Sequence, residues 1–284
     1  MGDVSVLGLG NMGAALARTF GSAGKDVVVW NRSRERTEPF FQSGMTIADD
    51  VATAVAASPV SVICVDSNAV ADQFLQTDAV AKVLKDRIVI QFSTSTPNEA
   101  EASATWLHAQ GAHYLDGAIH CGPGHIGTDD AAFLVSGNQA SYDSVTPLLN
   151  DLGGTVTYLG SGMRAASALD LASVCEVYGR FVAVSHAALM CESEGVSLDD
   201  LAALMPQGGF SRRYVETIRD GAFDNPAATL RIWNAAIQRV RTQGHDAGIN
   251  TKFPDYVGDL FADAIDAGLA DEHVMALIKV LRKP

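Results

Sequence analysis

Apolar positions along the chain follow two rhythms. Up to about residue 160, short blocks rich in valine and isoleucine alternate with longer mixed stretches. The blocks at 4–7, 26–30, 60–65 and 87–92 are apolar on both faces, which predicts buried strands of a parallel sheet with helices between them. Further strands are predicted at 114–119, 132–136 and 156–159, the last closing this part of the chain. From 163 to 194 the pattern changes to an apolar run without proline and with one internal glycine, Gly179. At ~1.5 Å per residue this is a helix of roughly 45 Å. Being apolar nearly all round, it is expected to be buried on several sides.

Beyond Gly195 the periods are helical throughout. Ser197 precedes an acidic first turn, a helix-start signal, and helical patterns follow at 214–220, 228–247, 254–267 and 271–282. The fold class is therefore α/β: an N-terminal Rossmann domain (1–160), a long interdomain helix (161–195) and an all-helical C-terminal domain (196–284). A membrane span is the other use of such a long apolar run. Asp170, Glu176, Arg180 and His186 interrupt it, and charges inside a span are expensive. It reads instead as a helix joining two domains, in the core of a dimer.

Charge narrows the partners. A net charge of −13 works against nucleic acid and anionic membrane surfaces. Cys64, Cys121, Cys175 and Cys191 are scattered, which suits reduced thiols better than disulfides or a zinc site. No histidine or cysteine spacing suggests a metal. The chain enters its first strand without a targeting pattern, so a cytoplasmic location is expected.

The strongest local signal is Gly8-Leu9-Gly10-Asn11-Met12-Gly13. A strand precedes it, a helix follows, and a second strand comes at the distance of a dinucleotide fingerprint. Gly8 serves the tight turn, Gly10 the close approach of pyrophosphate, and Gly13 the packing of the helix whose N-terminus faces the phosphates. Asn11 and Met12 belong to the same loop. After the second strand an NAD site usually presents a carboxylate to the ribose. Here the chain reads Asn31-Arg32-Ser33-Arg34-Glu35-Arg36. Arginine forks and a hydroxyl suit a 2′-phosphate, so Asn31, Arg32, Ser33 and Arg36 point to NADP(H). Val65, Asp66 and Ser67, with Ser93 and Thr94, follow the next two strands, where ribose and nicotinamide are contacted in doubly wound sheets. Ordinary loop and cap chemistry is the alternative for each hydroxyl. Candidate substrate contacts are Thr94, His120 and Tyr214. A lone loop histidine is more often a surface residue, but His120 leaves the end of a strand.

Together with Leu115-Asp-Gly-Ala-Ile, Ala166-Ser-Ala-Leu-Asp170 and the closing Ala276-Leu-Ile-Lys-Val-Leu-Arg-Lys-Pro284, these motifs resemble the β-hydroxyacid dehydrogenase superfamily and, within it, the NADPH-dependent imine reductases and reductive aminases. The resemblance covers the whole chain. It implies a homodimer with exchanged helical domains acting on a small imine, or a carbonyl plus an amine. Hydroxyacid enzymes carry a catalytic lysine on the long helix. The matching position is Ala166, and no lysine lies between Lys85 and Lys252. Their Ser-Gly-Gly carboxylate loop reads His120-Cys121-Gly122 here. Asp170 replaces a positive site by a negative one, which repels an acid and attracts an iminium. A raised carboxyl pKa on burial would let it hold a proton; bonding helix-end groups, or an arginine such as Arg164 across a subunit interface, is its structural alternative. Reductive-amination members place a tyrosine eight residues after this aspartate. Tyr178 stands there, either relaying a proton or packed with its hydroxyl satisfied. Thr94 stands where such members often have asparagine, which favours plain imine reduction. A hydroxyacid or semialdehyde dehydrogenase and a non-catalytic NADP(H)-binding protein remain the other readings.

Overall fold

The computed structural model describes residues 2–282; Met1, Lys283 and Pro284, the last two part of the closing motif, lie outside the described residues. The chain divides into two compact units, Met1–Asp170 and Leu171–Pro284.

In the first unit β1 (Val4–Leu7) leads into α1 (Asn11–Ser22) and β2 (Val27–Trp30), followed by α2 (Glu38–Gln42), β3 (Thr46–Ile47) and α3 (Val51–Ala57). Then come β4 (Val60–Ile63), α4 (Asn68–Leu75), α5 (Asp78–Ala81), β5 (Ile88–Gln91), α6 (Pro97–Ala109) and β6 (His113–Ile119). β7 (Ala132–Gly137), α7 (Gln139–Asn150) and β8 (Thr155–Tyr158) complete the sheet, and α8 (Ala165–Ser193) opens from it. The strand order is β3-β2-β1-β4-β5-β6-β7-β8. The first six strands in that order are parallel, as their continuous apolar runs require. β7 turns antiparallel to β6, and β8 runs parallel to β7. The order reverses between β1 and β4, and the carboxyl ends of these strands open the crevice in which doubly wound sheets bind ligands.

One apolar layer packs Leu16, Ala17 and Phe20 of α1 and Leu148 and Leu149 of α7 on the sheet. The other packs Val55, Ala71, Leu75, Ala104 and Leu107. Gly117 sits where β6 passes the ring of Phe92: a Cβ there would lie 2.6 Å from that ring.

The second unit adds α9 (Leu198–Ala203), α10 (Phe210–Asp220), α11 (Leu230–Asp246), α12 (Lys252–Asp266) and α13 (Leu277–Leu281). Its core takes Leu171, Tyr178, Phe181, Val184 and Ala188 from α8. By length and composition α8 could cross a membrane; these residues put one of its faces in the core of the unit. The expected burial on several sides is not met within one chain. Leu169, Ala172, Glu176, Arg180, Ala183, His186 and Met190 form an exposed stripe along it, because the neighbouring helices cover only the opposite face. The predicted helix at 271–282 is shorter than expected. Residues 274–276 form a 3-10 turn and α13 begins at Leu277. Thr229 pairs with His273 in an isolated bridge, and the His273 ring accepts from the Met275 N–H, which delays the helix start.

Candidate active site

The fingerprint has the geometry its residues dictate. Gly8 has φ +99°, and a Cβ on it would lie 2.3 Å from the Cys64 carbonyl oxygen. A Cβ on Gly13 would lie 2.0 Å from the Gly8 carbonyl oxygen, so α1 packs against the turn only with glycine there. Gly10 is different: a Cβ would meet nothing within 4 Å. It is the N-cap of α1 and offers no side-chain cap, leaving room before the helix N-terminus for a pyrophosphate. Asn11 is exposed and Met12 half-buried beside this opening. These residues fit a dinucleotide.

Asn31 acts on the loop rather than at its surface. Its side-chain oxygen accepts from the Leu9 N–H at 2.8 Å, and its amide donates to the Ser33 carbonyl at 3.0 Å. It ties the glycine turn to the arginine loop. Arg32 and Arg36 are exposed there and Ser33 half-buried, whereas Arg34 pairs with Asp49 at 3.1 Å.

The loops after β4 and β5 are held by a buried polar chain. The Val65 N–H donates to Ser93 Oγ at 2.9 Å, and the Ser93 N–H to Gln91 Oε1 at 3.0 Å. Gln91 donates to Asn68, Asn68 to Ser103, and Ser103 to Asp72. Burial pushes the Asp72 carboxyl above its ordinary value. Ser93 is therefore buried, and its hydroxyl, engaged with the Val65 N–H, positions the loop. Ser67 caps α4 through the Val70 N–H. Asp66 is exposed and Thr94 half-buried at the same edge of the sheet.

At the C-terminal end of β6 the chain brings two distant residues together. His120 Nε2 lies 3.0 Å from Asp170 Oδ1, their side chains 27% and 11% exposed. Within the chain, Arg164 pairs with Glu101 at 3.0 Å. Below this pair lies Asp116, fully buried. It accepts the Ser167 N–H at 2.8 Å and the Ser167 hydroxyl at 2.7 Å, and that hydroxyl lies 2.9 Å from Ser95 Oγ. Ser136 Oγ takes the Ala166 N–H at 3.0 Å. Two donors that the start of α8 leaves without helical partners are thus satisfied. A carboxylate at a helix N-terminus is electrostatically favoured, yet burial outweighs this and the Ser167 bonds, with the nearby Asp170 charge adding to it. The Asp116 carboxyl is pushed up to about 6.

Asp116, Ser167, Ser95 and Ser136 escaped the sequence reading as site residues. The available signal was an aspartate inside an apolar strand, since buried charge requires partners. The two tyrosines belong to the second unit. Tyr178 is fully buried, ringed edge-on by Phe181, Trp233 and Phe261 at 5.2–5.8 Å, and its hydroxyl donates to the Trp233 carbonyl. Burial raises its pKa well above the ordinary phenol value. Of its two readings, the structure supports the packed one. Tyr214 is half-buried, edge-on to Phe181 at 5.2 Å. Among the described residues no cluster of metal-ligating side chains occurs.

A glycine fingerprint at the switch point of a parallel sheet, with a helical second unit, defines a nicotinamide-dinucleotide oxidoreductase. Residues 3–160 match the NAD binding domain of 6-phosphogluconate dehydrogenase, and the chain belongs to that family. Residues 163–283 match the C-terminal domain of NADPH-dependent reductive aminase-like proteins, which places it on the imine reductase and reductive aminase branch. It is 27% identical to an NADPH-dependent reductive aminase from Aspergillus oryzae, over 98% of this chain and 97% of the relative. The solved imine reductase from Myxococcus stipitatus in complex with NADP⁺ is 28% identical, with a TM-score of 0.67 over 99% of this chain and 100% of that one. A 3-hydroxyisobutyrate dehydrogenase from Mycobacterium tuberculosis, 20% identical with a TM-score of 0.88 over 99% of each chain, shares the fold.

Proposed function

We propose that this protein uses NADPH to reduce imines to amines, acting on the CH–NH bond, with a ketone or aldehyde plus an amine as an extended substrate pair. The observation that carries the reading is Asp170: a carboxylate, enclosed and paired with His120, on a helix that offers no lysine to an acid substrate. The relatives named for imine reduction and reductive amination, at 27–28% identity over nearly the whole chain, support the same direction.

Arg32, Arg36 and Ser33 would hold a 2′-phosphate, and the opening before α1 the pyrophosphate. NADPH bound there supplies a hydride to the imine carbon. Asp170 then acts on the nitrogen side. At ~4 Å and an effective dielectric of ~20, a carboxylate and an iminium attract by about 4 kcal/mol, and a carboxylate substrate is repelled by a similar amount. Asp116 and Ser167 hold the turn of α8 that carries Asp170, so that charge is fixed before substrate arrives.

The protein works as a cytoplasmic homodimer that exchanges its helical domains, in this proposal. The exposed stripe on α8, with Phe210, Ile232, Phe253 and Tyr256 also exposed in a single chain, supports a second copy as the cover. Sedimentation at twice the 29.9 kDa chain mass is expected; a monomer at micromolar concentration contradicts it. For the reaction, NADPH absorbance should fall when a small cyclic imine such as a pyrroline is added, with one amine formed per NADPH. Oxidation of a β-hydroxy acid with NADP⁺, with no reduction of the imine by NADPH, would replace this reading by a hydroxyacid dehydrogenase.

A further inference from the structure

We propose that His120 is the acid of this site: held by Asp170, its imidazolium gives the proton to the nitrogen of a neutral imine. The inference rests on the C=N reading above and adds the residue that moves the proton.

Position comes first. The His120 N–H donates to the Ala132 carbonyl at 2.8 Å, fixing its backbone just past the carboxyl end of β6, at the edge of the sheet where ligands bind. The 3.0 Å contact with Asp170 fixes the ring. Of the two side chains the imidazole is the more open, at 27% against 11%. It is therefore the member of the pair placed to meet a substrate, while the carboxylate orients it, the division of labour of a histidine–aspartate couple. The competing proton carriers are engaged elsewhere. Tyr178 gives its hydroxyl to the Trp233 carbonyl, and Asp116 is closed off by Ser167. Asp170 from α8 faces the His120 ring; Asp116 lies on the preceding strand β6, Cys121, His125, Asp129 and Asp130 lie on the loop between β6 and β7, and β7 carries no titratable side chain.

The step balances. In the imidazolium, the Nε2–H stays on Asp170. The Nδ1–H bond breaks as the imine lone pair takes that proton, forming a new N–H bond and leaving neutral imidazole. Hydride then adds to the carbon, the C=N π electrons become the amine lone pair, and imidazole regains a proton from water. The sum is imine, NADPH and one proton giving amine and NADP⁺.

A pair of substrates separates this role from a structural one. A neutral cyclic imine needs the proton, whereas its N-methyl iminium salt, permanently charged, needs hydride alone. With NADPH, His120→Asn and His120→Gln are expected to lose about 10²-fold in kcat on the imine, the usual scale of general acid catalysis. The loss on the iminium should be at least tenfold smaller, and added imidazole should restore part of the imine rate of His120→Ala. Equal losses on the two substrates, or an imine rate that survives in all the variants, overturn the proposal while leaving imine reduction standing. A wild-type enzyme that turns over neither substrate overturns the C=N reading itself, and this proposal with it.

Discussion

Asp116 and Ser167, 51 residues apart, are joined twice: the carboxylate of the first accepts both the backbone N–H and the hydroxyl of the second, at 2.8 and 2.7 Å. A strand of the sheet thereby fixes the first turn of the long helix three residues before Asp170. The cost is a fully buried carboxylate.

That cost predicts a pH dependence. The folded-state pKa of Asp116, about 6, lies above the ordinary carboxylate value, so the protonated form favours the fold. Its stabilising contribution is complete below about pH 4 and is lost as pH rises through about 6, on the order of 3 kcal/mol in all. Urea unfolding of wild type and Asp116→Asn at several pH values checks this. The wild type should lose stability relative to the variant between pH 4 and 7, and a constant difference would refute the assignment.

Much of the first unit was legible because its signals are local. The glycine turn, the apolar strands and the arginine loop each lie within a few consecutive residues. The His120–Asp170 and Asp116–Ser167 contacts were not, since the sheet makes them across some fifty residues of chain. Tyr178 shows the same limit. Its sequence neighbours left both of its readings open, and Trp233 and Phe261, which enclose it, come from distant helices. The second unit was legible as helices, but not the late start that His273 imposes on the last of them.

Gly13 and Gly10 should respond in opposite ways to alanine. A Cβ on Gly13 collides with backbone at 2.0 Å, so Gly13→Ala lowers the melting temperature by several degrees, in line with a strain of about 1–3 kcal/mol. Gly10→Ala has open space and keeps the fold, yet places a methyl in the path of pyrophosphate. Thermal melts beside NADPH fluorescence titrations should show the first losing stability and the second losing affinity.

Cofactor choice should rest on Arg32 and Arg36 rather than Arg34. Hydrogen bonds to charged groups contribute about 1.5–3 kcal/mol, so Arg32→Ala or Arg36→Ala should raise the KM for NADPH by roughly 10- to 100-fold, with NADH little affected. Arg34, paired with Asp49, should matter much less. Equal effects on both dinucleotides would remove the 2′-phosphate from the account.

Tyr178→Phe removes the hydroxyl that the fully buried ring donates to the Trp233 carbonyl of α11. It should cost about 0.5–1.5 kcal/mol in urea unfolding, a loss that a surface-facing tyrosine would not show.

The most direct test follows NADPH oxidation with a pyrroline, wild type beside Asp170→Asn. The variant keeps the shape of the side chain and removes its charge. The account predicts turnover in the wild type and a fall of at least 10²-fold in kcat/KM in the variant, with NADPH still bound. Equal turnover in the two proteins would contradict it, because the charge at Asp170 would then have no part in the reduction of C=N.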